Sequence, residues 1–206
     1  MRAACGVIVL VLAACGAHAA AGYRVPADVG SLVVDNAAFA TFARELRSGV
    51  ERALPTATGE ALKEHLFALA LLDALDGHWA ASVASLDRIA AVETSPADKA
   101  MRGLTIRIWA DAERDHDFRA AMERQLAALP VDLVRNQLAM LRTMAQVFTP
   151  EVCRKLVSDE IKAHGTVTFE QAQAIAFQRY AVKQLVPVAA IIDEVLAAHG
   201  IDALPH

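Results

Sequence analysis

From Asn36 onward the apolar residues of this chain recur three and four apart, in blocks that proline or glycine cuts off. In the first block Phe39, Phe42, Leu46, Val50 and Leu54 line one stripe, Asp35 stands where an N-cap belongs, and Pro55 stops the run. A period near 3.6 gathers such residues on one face of an α-helix, and an apolar face has to be covered by another element. The pattern continues almost without relief to the C-terminus, so the expected fold is all-α.

The punctuation marks the helices. A second helix is expected from about Gly59 to Asp76, closed by Gly77 as its C′ glycine; its "HLFALALLDAL" is apolar on more than one side and should lie sandwiched between neighbours. A third, His78 to Val92, turns Trp79, Val83, Leu86 and Ile89 or Ala90 inward. Ser95, Pro96 and Asp98 stand at the N-cap, N1 and N3 of a fourth, which runs to about Arg114 with Met101, Leu104, Ile108 and Trp109 on it. A fifth spans Asp117 to Ala128 and carries Phe118, Ala121, Met122 and Leu126. Pro130 opens a sixth with Leu133, Leu138, Leu141, Met144 and Phe148, and Thr149-Pro150 opens a seventh that ends at His164-Gly165. Thr168 with Gln171 forms a capping box for a long last helix, which Pro187 kinks or divides before His199-Gly200.

Such short connections predict antiparallel helical hairpins, forming a bundle or a short superhelix. No linker interrupts residues 36–206, so they are expected to be a single all-α domain. Residues 20–35 are expected to be a tether or an extended lead-in, punctuated by Pro26 and Gly30, in which "SLVV" forms a short β segment or packs against a neighbour.

The first nineteen residues differ in character. Met1 and Arg2 make a minimal positive start, "GVIVLVL" makes an apolar run too short to span a bilayer, and small residues follow at once. That is the grammar of an export signal. Leu12-Ala13-Ala14-Cys15-Gly16 resembles the lipobox of bacterial lipoproteins. The resemblance implies diacylglyceryl attachment to the Cys15 thiol, with Cys15 as the mature N-terminus; Gly16 behind it implies the outer membrane. The alternative is ordinary cleavage after Ala17-His18-Ala19, which would leave a soluble periplasmic or secreted protein. Either cut leaves Cys153 without an intramolecular disulfide partner.

"DGHWAASVASLDRIAAVETSP", residues 76–96, resembles the second half of a tetratricopeptide repeat: Gly77 and Trp79 sit at the turn between helices, Ser82 and Leu86 inside the second helix, and Pro96 near its end. Leu66, Leu69 and Ala70 fit the first-helix positions, and a second unit can be drawn through "DHDFRAAMERQLAALP", so the likeness covers residues 60–130. It implies stacked hairpins with a concave surface for other proteins.

An enzyme of familiar type would show a nucleophile, base or metal set in recognisable order. The chain holds no G-x-S-x-G, P-loop, H-E-x-x-H, C-x-x-C or dinucleotide glycine fingerprint, so no catalytic, cofactor-binding or metal-ligating set is expected. Asp115, His116 and Asp117 offer oxygen and nitrogen ligands, yet a polar turn with one aspartate capping the next helix accounts for the same residues. His78 occupies the corresponding turn before Trp79, which would set two histidines at one edge as a metal or pH-sensitive pair, or simply as exposed turn residues. Cys153 falls in a first helical turn beside Arg154 and Lys155, where a thiol is acidified, although a small buried filler there needs no chemistry. Arg179 and Lys183, four apart amid Phe177, Tyr180, Val182, Leu185 and Val186, would share one face, either receiving an acyl chain or an acidic peptide or laying their stems along the domain edge.

The net charge of -4, with lysine and arginine scattered among acids, leaves no dense basic face for phosphates, so nucleic acid is excluded as partner. The functional expectation is an exported, envelope-associated, non-enzymatic module that binds another envelope protein, with Trp79, Arg179 and Lys183 as the partner or ligand face. The alternative is a carrier that holds a small hydrophobic ligand, such as a lipid, between its helices.

Overall fold

The computed structural model describes residues 22–147 and 165–200. The expected leader with Cys5 and Cys15, and the expected seventh helix with Cys153 and His164, lie outside the described residues. Within them the fold is all-α, with one two-stranded antiparallel sheet in which β1 (Tyr23–Arg24) pairs with β2 (Thr166–Val167), Tyr23 opposite Val167. The helices are α1 (Ser31–Val34), α2 (Asn36–Ala53), α3 (Gly59–Leu75), α4 (Trp79–Val92), α5 (Pro96–Met101), α6 (Leu104–Asp115), α7 (Phe118–Ala127), α8 (Val131–Val147), α9 (Phe169–Tyr180) and α10 (Ala189–Ala198).

The caps explain most of the boundaries. The Asp35 carboxylate accepts the N–H groups of Ala38 at 3.0 Å and Ala37 at 2.7 Å, which holds its pKa below the usual range and starts α2. Ser95 accepts from Asp98 to start α5, Asp117 from Ala120 to start α7, and the Thr168–Gln171 capping box opens α9 with both of its bonds made. At the end of α3 the N–H of His78 reaches the carbonyl of Asp73 and that of Gly77 the carbonyl of Ala74, the Schellman pattern that a glycine at φ +77 permits.

Two elements differ from the expectation. The fourth helix is broken: Gly103, at φ +77, separates α5 from α6, and a Cβ there would stand 2.4 Å from the Leu86 side chain. The three- and four-residue spacing of Met101, Leu104 and Ile108 runs across the break unchanged, so apolar spacing alone hides it. The lead-in is also more than a tether. Of the two expectations for "SLVV", packing against neighbours holds and the β segment does not: it forms a helical turn, and Val29, Leu32 and Val33 are fully buried.

Helices α3 and α4 pack as one hairpin and α6 and α7 as another, with α4 against α6. As expected, α3 is enclosed, burying Leu66, Ala68, Ala70, Leu71, Leu72, Ala74 and Leu75. Ser82, fully buried on α4, lets the two backbones approach and donates its hydroxyl to the Ala70 carbonyl at 2.6 Å. Helix α9 returns across α1, α2 and α3, with Gln173 donating to the Glu64 carbonyl at 3.0 Å; α10 packs on α7 and α8. Pro187 does divide the last helix. It lacks the N–H that the Lys183 carbonyl would receive, and the chain widens to a π turn over Ala181–Leu185 and tightens to a 3-10 turn over Val186–Val188 before α10.

A charged cluster ties α3 to the chain between α4 and α6. Lys63 pairs with Glu60 at 2.5 Å and Glu93 at 2.9 Å, and Arg102 bridges Glu60 at 2.9 Å and Glu64 at 2.8 Å. Burial works to raise the Glu60 pKa, but the bonds and charges of Lys63 and Arg102 outweigh it and hold the carboxyl low. Glu93 is held low by its hydrogen bond from Lys63 and by the Ser95 N–H, while Glu60 and then Glu93 raise Lys63.

Candidate functional site

Trp79 opens α4 and is half-buried. Its ring stacks on Trp109 of α6 at 6.2 Å between centroids and 15° between planes, and Trp109 meets Phe118 at the start of α7 at 4.7 Å and 49°. The three aromatics join the two hairpins at one edge. Trp109 Nε1 is buried there without an acceptor among the described residues. Beside this joint, between α4 and α6, runs an open groove of about 560 Å³, lined by Trp79, Ala80, Val83, Ala84 and Ala110 together with Asp87, Asp111, Glu113 and Arg114. Asp87 is paired with Arg107 at 2.8 Å and Asp111 with Arg114 at 3.1 Å, while Glu113 has no ion pair among the described residues. The groove therefore joins a wall of small side chains, an indole and a mildly acidic rim.

Arg179 does not belong to this face or to any exposed one. It is 3% exposed, and its Nη1 donates to the carbonyls of Leu32 (3.2 Å), Val33 (3.2 Å) and Asp35 (3.1 Å), while Nη2 donates to Asn36 Oδ1. Its cation lies 4.5 Å from the centroid of the Phe39 ring. Burial lowers its pKa, and Asp35 acts against that. The expectation of a partner or ligand face at Arg179 is corrected. The guanidinium caps α1 and the start of α2 because a one-turn helix leaves carbonyls that no backbone N–H can reach. Lys183, four residues on, lies on the π turn and is exposed. Tyr180, next to Arg179, is fully buried. Burial pushes its phenol far up, with only the Thr105 side chain acting in the other direction.

The turn residues serve local structure. Asp117 caps α7, and Asp115 pairs with Arg114 at 2.9 Å and with Arg124, the Arg114 bond holding its carboxyl low. His116 closes α6 at φ 56 and His78 precedes α4; both are exposed. Among the described residues no three of histidine, cysteine, aspartate and glutamate stand in an arrangement that would hold a metal ion, and no helix is long and apolar enough to cross a membrane.

A second open groove, of about 660 Å³, lies where β1 rests on α2 and is lined by Arg24, Arg44 and Arg52 among others. Sequence reasoning singled out neither its arginines nor Ala80, Ala84 and Ala110. The available signal was spacing: Ala80 and Ala84 sit one turn apart outside the buried stripe of α4, and Arg44 and Arg52 sit two turns apart on α2. No family model, curated protein or solved structure matches this chain.

Proposed function

We propose that this protein is a non-enzymatic helical module of the bacterial cell envelope that binds another envelope protein through the groove between α4 and α6. The single observation that carries the reading is the half-exposed indole of Trp79, fixed by Trp109 and Phe118 beside a groove of small side chains. Pre-set aromatics next to shallow apolar surface are what protein partners use as anchors, because a rigid ring loses little entropy on contact. The likeness of residues 76–96 to tetratricopeptide hairpins points the same way, since such hairpins serve to bind other proteins. The resemblance of residues 12–16 to a lipobox supports a module held at the membrane through Cys15, as an outer-membrane lipoprotein facing the periplasm, or one free in the periplasm or outside the cell if cleavage falls after Ala19.

The test is a photoreactive residue placed in the living cell at Ala80 or Ala84, with the exposed Arg88 and Arg135 as control positions. One discrete adduct from both groove positions, absent from the controls and lost with Trp79→Ala, is the expected result; adducts from all four sites alike, or from none, overturn it. The carrier reading finds less support. The grooves beside Trp79 and between β1 and α2 are open, neither is lined by Arg179 or Lys183, and Arg179 is engaged by backbone. A lipid retained in native mass spectrometry of the purified chain would bring it back.

A further inference from the structure

The groove between β1 and α2 lies at the point where the described chain begins. Gly49, in the middle of α2, forms a notch there: a Cβ on it would stand 2.5 Å from the Tyr23 hydroxyl, so a side chain at this position would push the ring off its seat against the helix. The lining holds Arg24, Arg44 and Arg52 against Glu45 alone, a local charge of +2 on a chain that is acidic overall. Arg24 pairs loosely with Glu45 at 3.9 Å, and Glu170 acts on Tyr23 from the start of α9. Arg44 and Arg52 have no carboxylate partner among the described residues. Arg44 donates to Thr41 Oγ1 at 3.1 Å and Arg52 Nε to the Ser48 carbonyl at 3.1 Å; these bonds pin both stems to one side of α2, and the Nη groups of Arg52 have no hydrogen-bond partner among the described residues.

We propose that this groove binds the headgroups of anionic phospholipids and seats the domain, α2 side down, on the bilayer that anchors it. The proposal rests on acylation at Cys15. Six residues lie between Cys15 and Gly22, and the seven steps of chain span about 25 Å at most. The eighteen residues of α2 rise through about 27 Å. A leash shorter than α2 keeps the Arg24–Arg44–Arg52 side close to the membrane surface, where two guanidiniums that have no carboxylate partner among the described residues meet phosphate diesters of complementary charge.

The full protein, isolated with its own N-terminus, is reconstituted into vesicles of phosphatidylcholine alone or mixed with phosphatidylglycerol. Phenylglyoxal modification of each arginine is then read by peptide mass spectrometry. Arg24, Arg44 and Arg52 are expected to react roughly fivefold more slowly on the anionic vesicles, equivalent to the ~1 kcal/mol an arginine gains at such a surface. Arg88 and Arg135 should be unchanged, high salt should erase the difference, and Arg44→Glu with Arg52→Glu should abolish it with helix content intact. An acylated chain whose arginines react equally on both vesicles overturns the headgroup contact and leaves the anchor standing. A chain whose N-terminal peptide carries no acyl group overturns the anchor, and the seating falls with it.

Discussion

Replacing Arg179 by methionine would open the joint that holds the N-terminal segment to the rest of the domain. Methionine fills a comparable volume and stays apolar, so the change isolates the guanidinium. Its removal leaves the buried carbonyls of Leu32 and Val33 without their donor. Bonds from a charged donor contribute about 1.5–3 kcal/mol each, and the cation over Phe39 adds about 1 kcal/mol. Relief from burying a charge offsets part of this, since an ion taken out of water costs several kcal/mol before its partners compensate. The net expectation is a loss of about 3 kcal/mol, short of the ~5–15 kcal/mol that holds a domain folded.

Urea unfolding followed by circular dichroism reads the loss directly, and the thermal midpoint should fall by roughly 6–12 °C. Hydrogen exchange places it: amides of residues 22–35 should lose protection first, because Val29, Leu32 and Val33 are held in place by α9. Arg179→Lys should recover less than half. A compact ammonium cannot fork to three carbonyls and an amide at once. A loss below about 0.5 kcal/mol, as for an ordinary surface change, together with unchanged exchange over residues 22–35, would refute the clasp.

Gly103→Ala should lower stability by about 2–5 kcal/mol, combining left-handed backbone strain with overlap on Leu86; in a Leu86→Ala background the penalty should shrink, and an equal penalty in both would show that the Leu86 contact is irrelevant. The pH dependence follows from shifts of both signs. The lowered carboxyls of Glu60, Glu93 and Asp35 give stability that is present above the unfolded values near ~4 and lost as pH falls through the folded ones. Raised Lys63 gives stability that is fully present below the unfolded value near ~10.4 and lost as pH rises through the folded one. Urea midpoints should therefore form a plateau across neutral pH, and Glu60→Gln with Glu93→Gln should flatten the acid limb; a limb that keeps its slope would assign it to other groups. Trp79→Ala should leave helix content intact and cost about 1–2 kcal/mol, as for a half-buried side chain, yet remove the groove adduct; an adduct that survives would move the partner elsewhere.

Where a rule reaches only one helical turn, the chain is easy to read. Asp35, Ser95, Asp117 and Thr168 each make their cap bonds within three residues, and each marks a helix start that the structure repeats. Buried stripes such as Phe39, Phe42, Leu46 and Val50 follow from the same short range. Gly103 escaped because the stripe on either side of it keeps its phase. The reason for a glycine there is the side chain of Leu86 on another helix, which no local pattern records.

Arg179 failed for the same reason at larger scale. Its acceptors lie 143 to 147 positions earlier in the chain, so spacing on its own helix places it beside Lys183 and says nothing of Leu32 or Asn36. The clue was at the other end: a one-turn "SLVV" followed by an extended Asp35 leaves carbonyls that need a buried donor, and an arginine among apolar residues is the side chain able to supply several bonds at once. Trp79 stood out in the sequence as part of the joint between hairpins because an indole at a turn is conspicuous wherever the hairpins pack. Its groove did not, since Ala80, Ala84 and Ala110 read in sequence as helix formers and become a surface only when α4 and α6 come together. A cation at the edge of an apolar stripe is therefore weak testimony for a binding face until every short helix in the chain has its carbonyls accounted for.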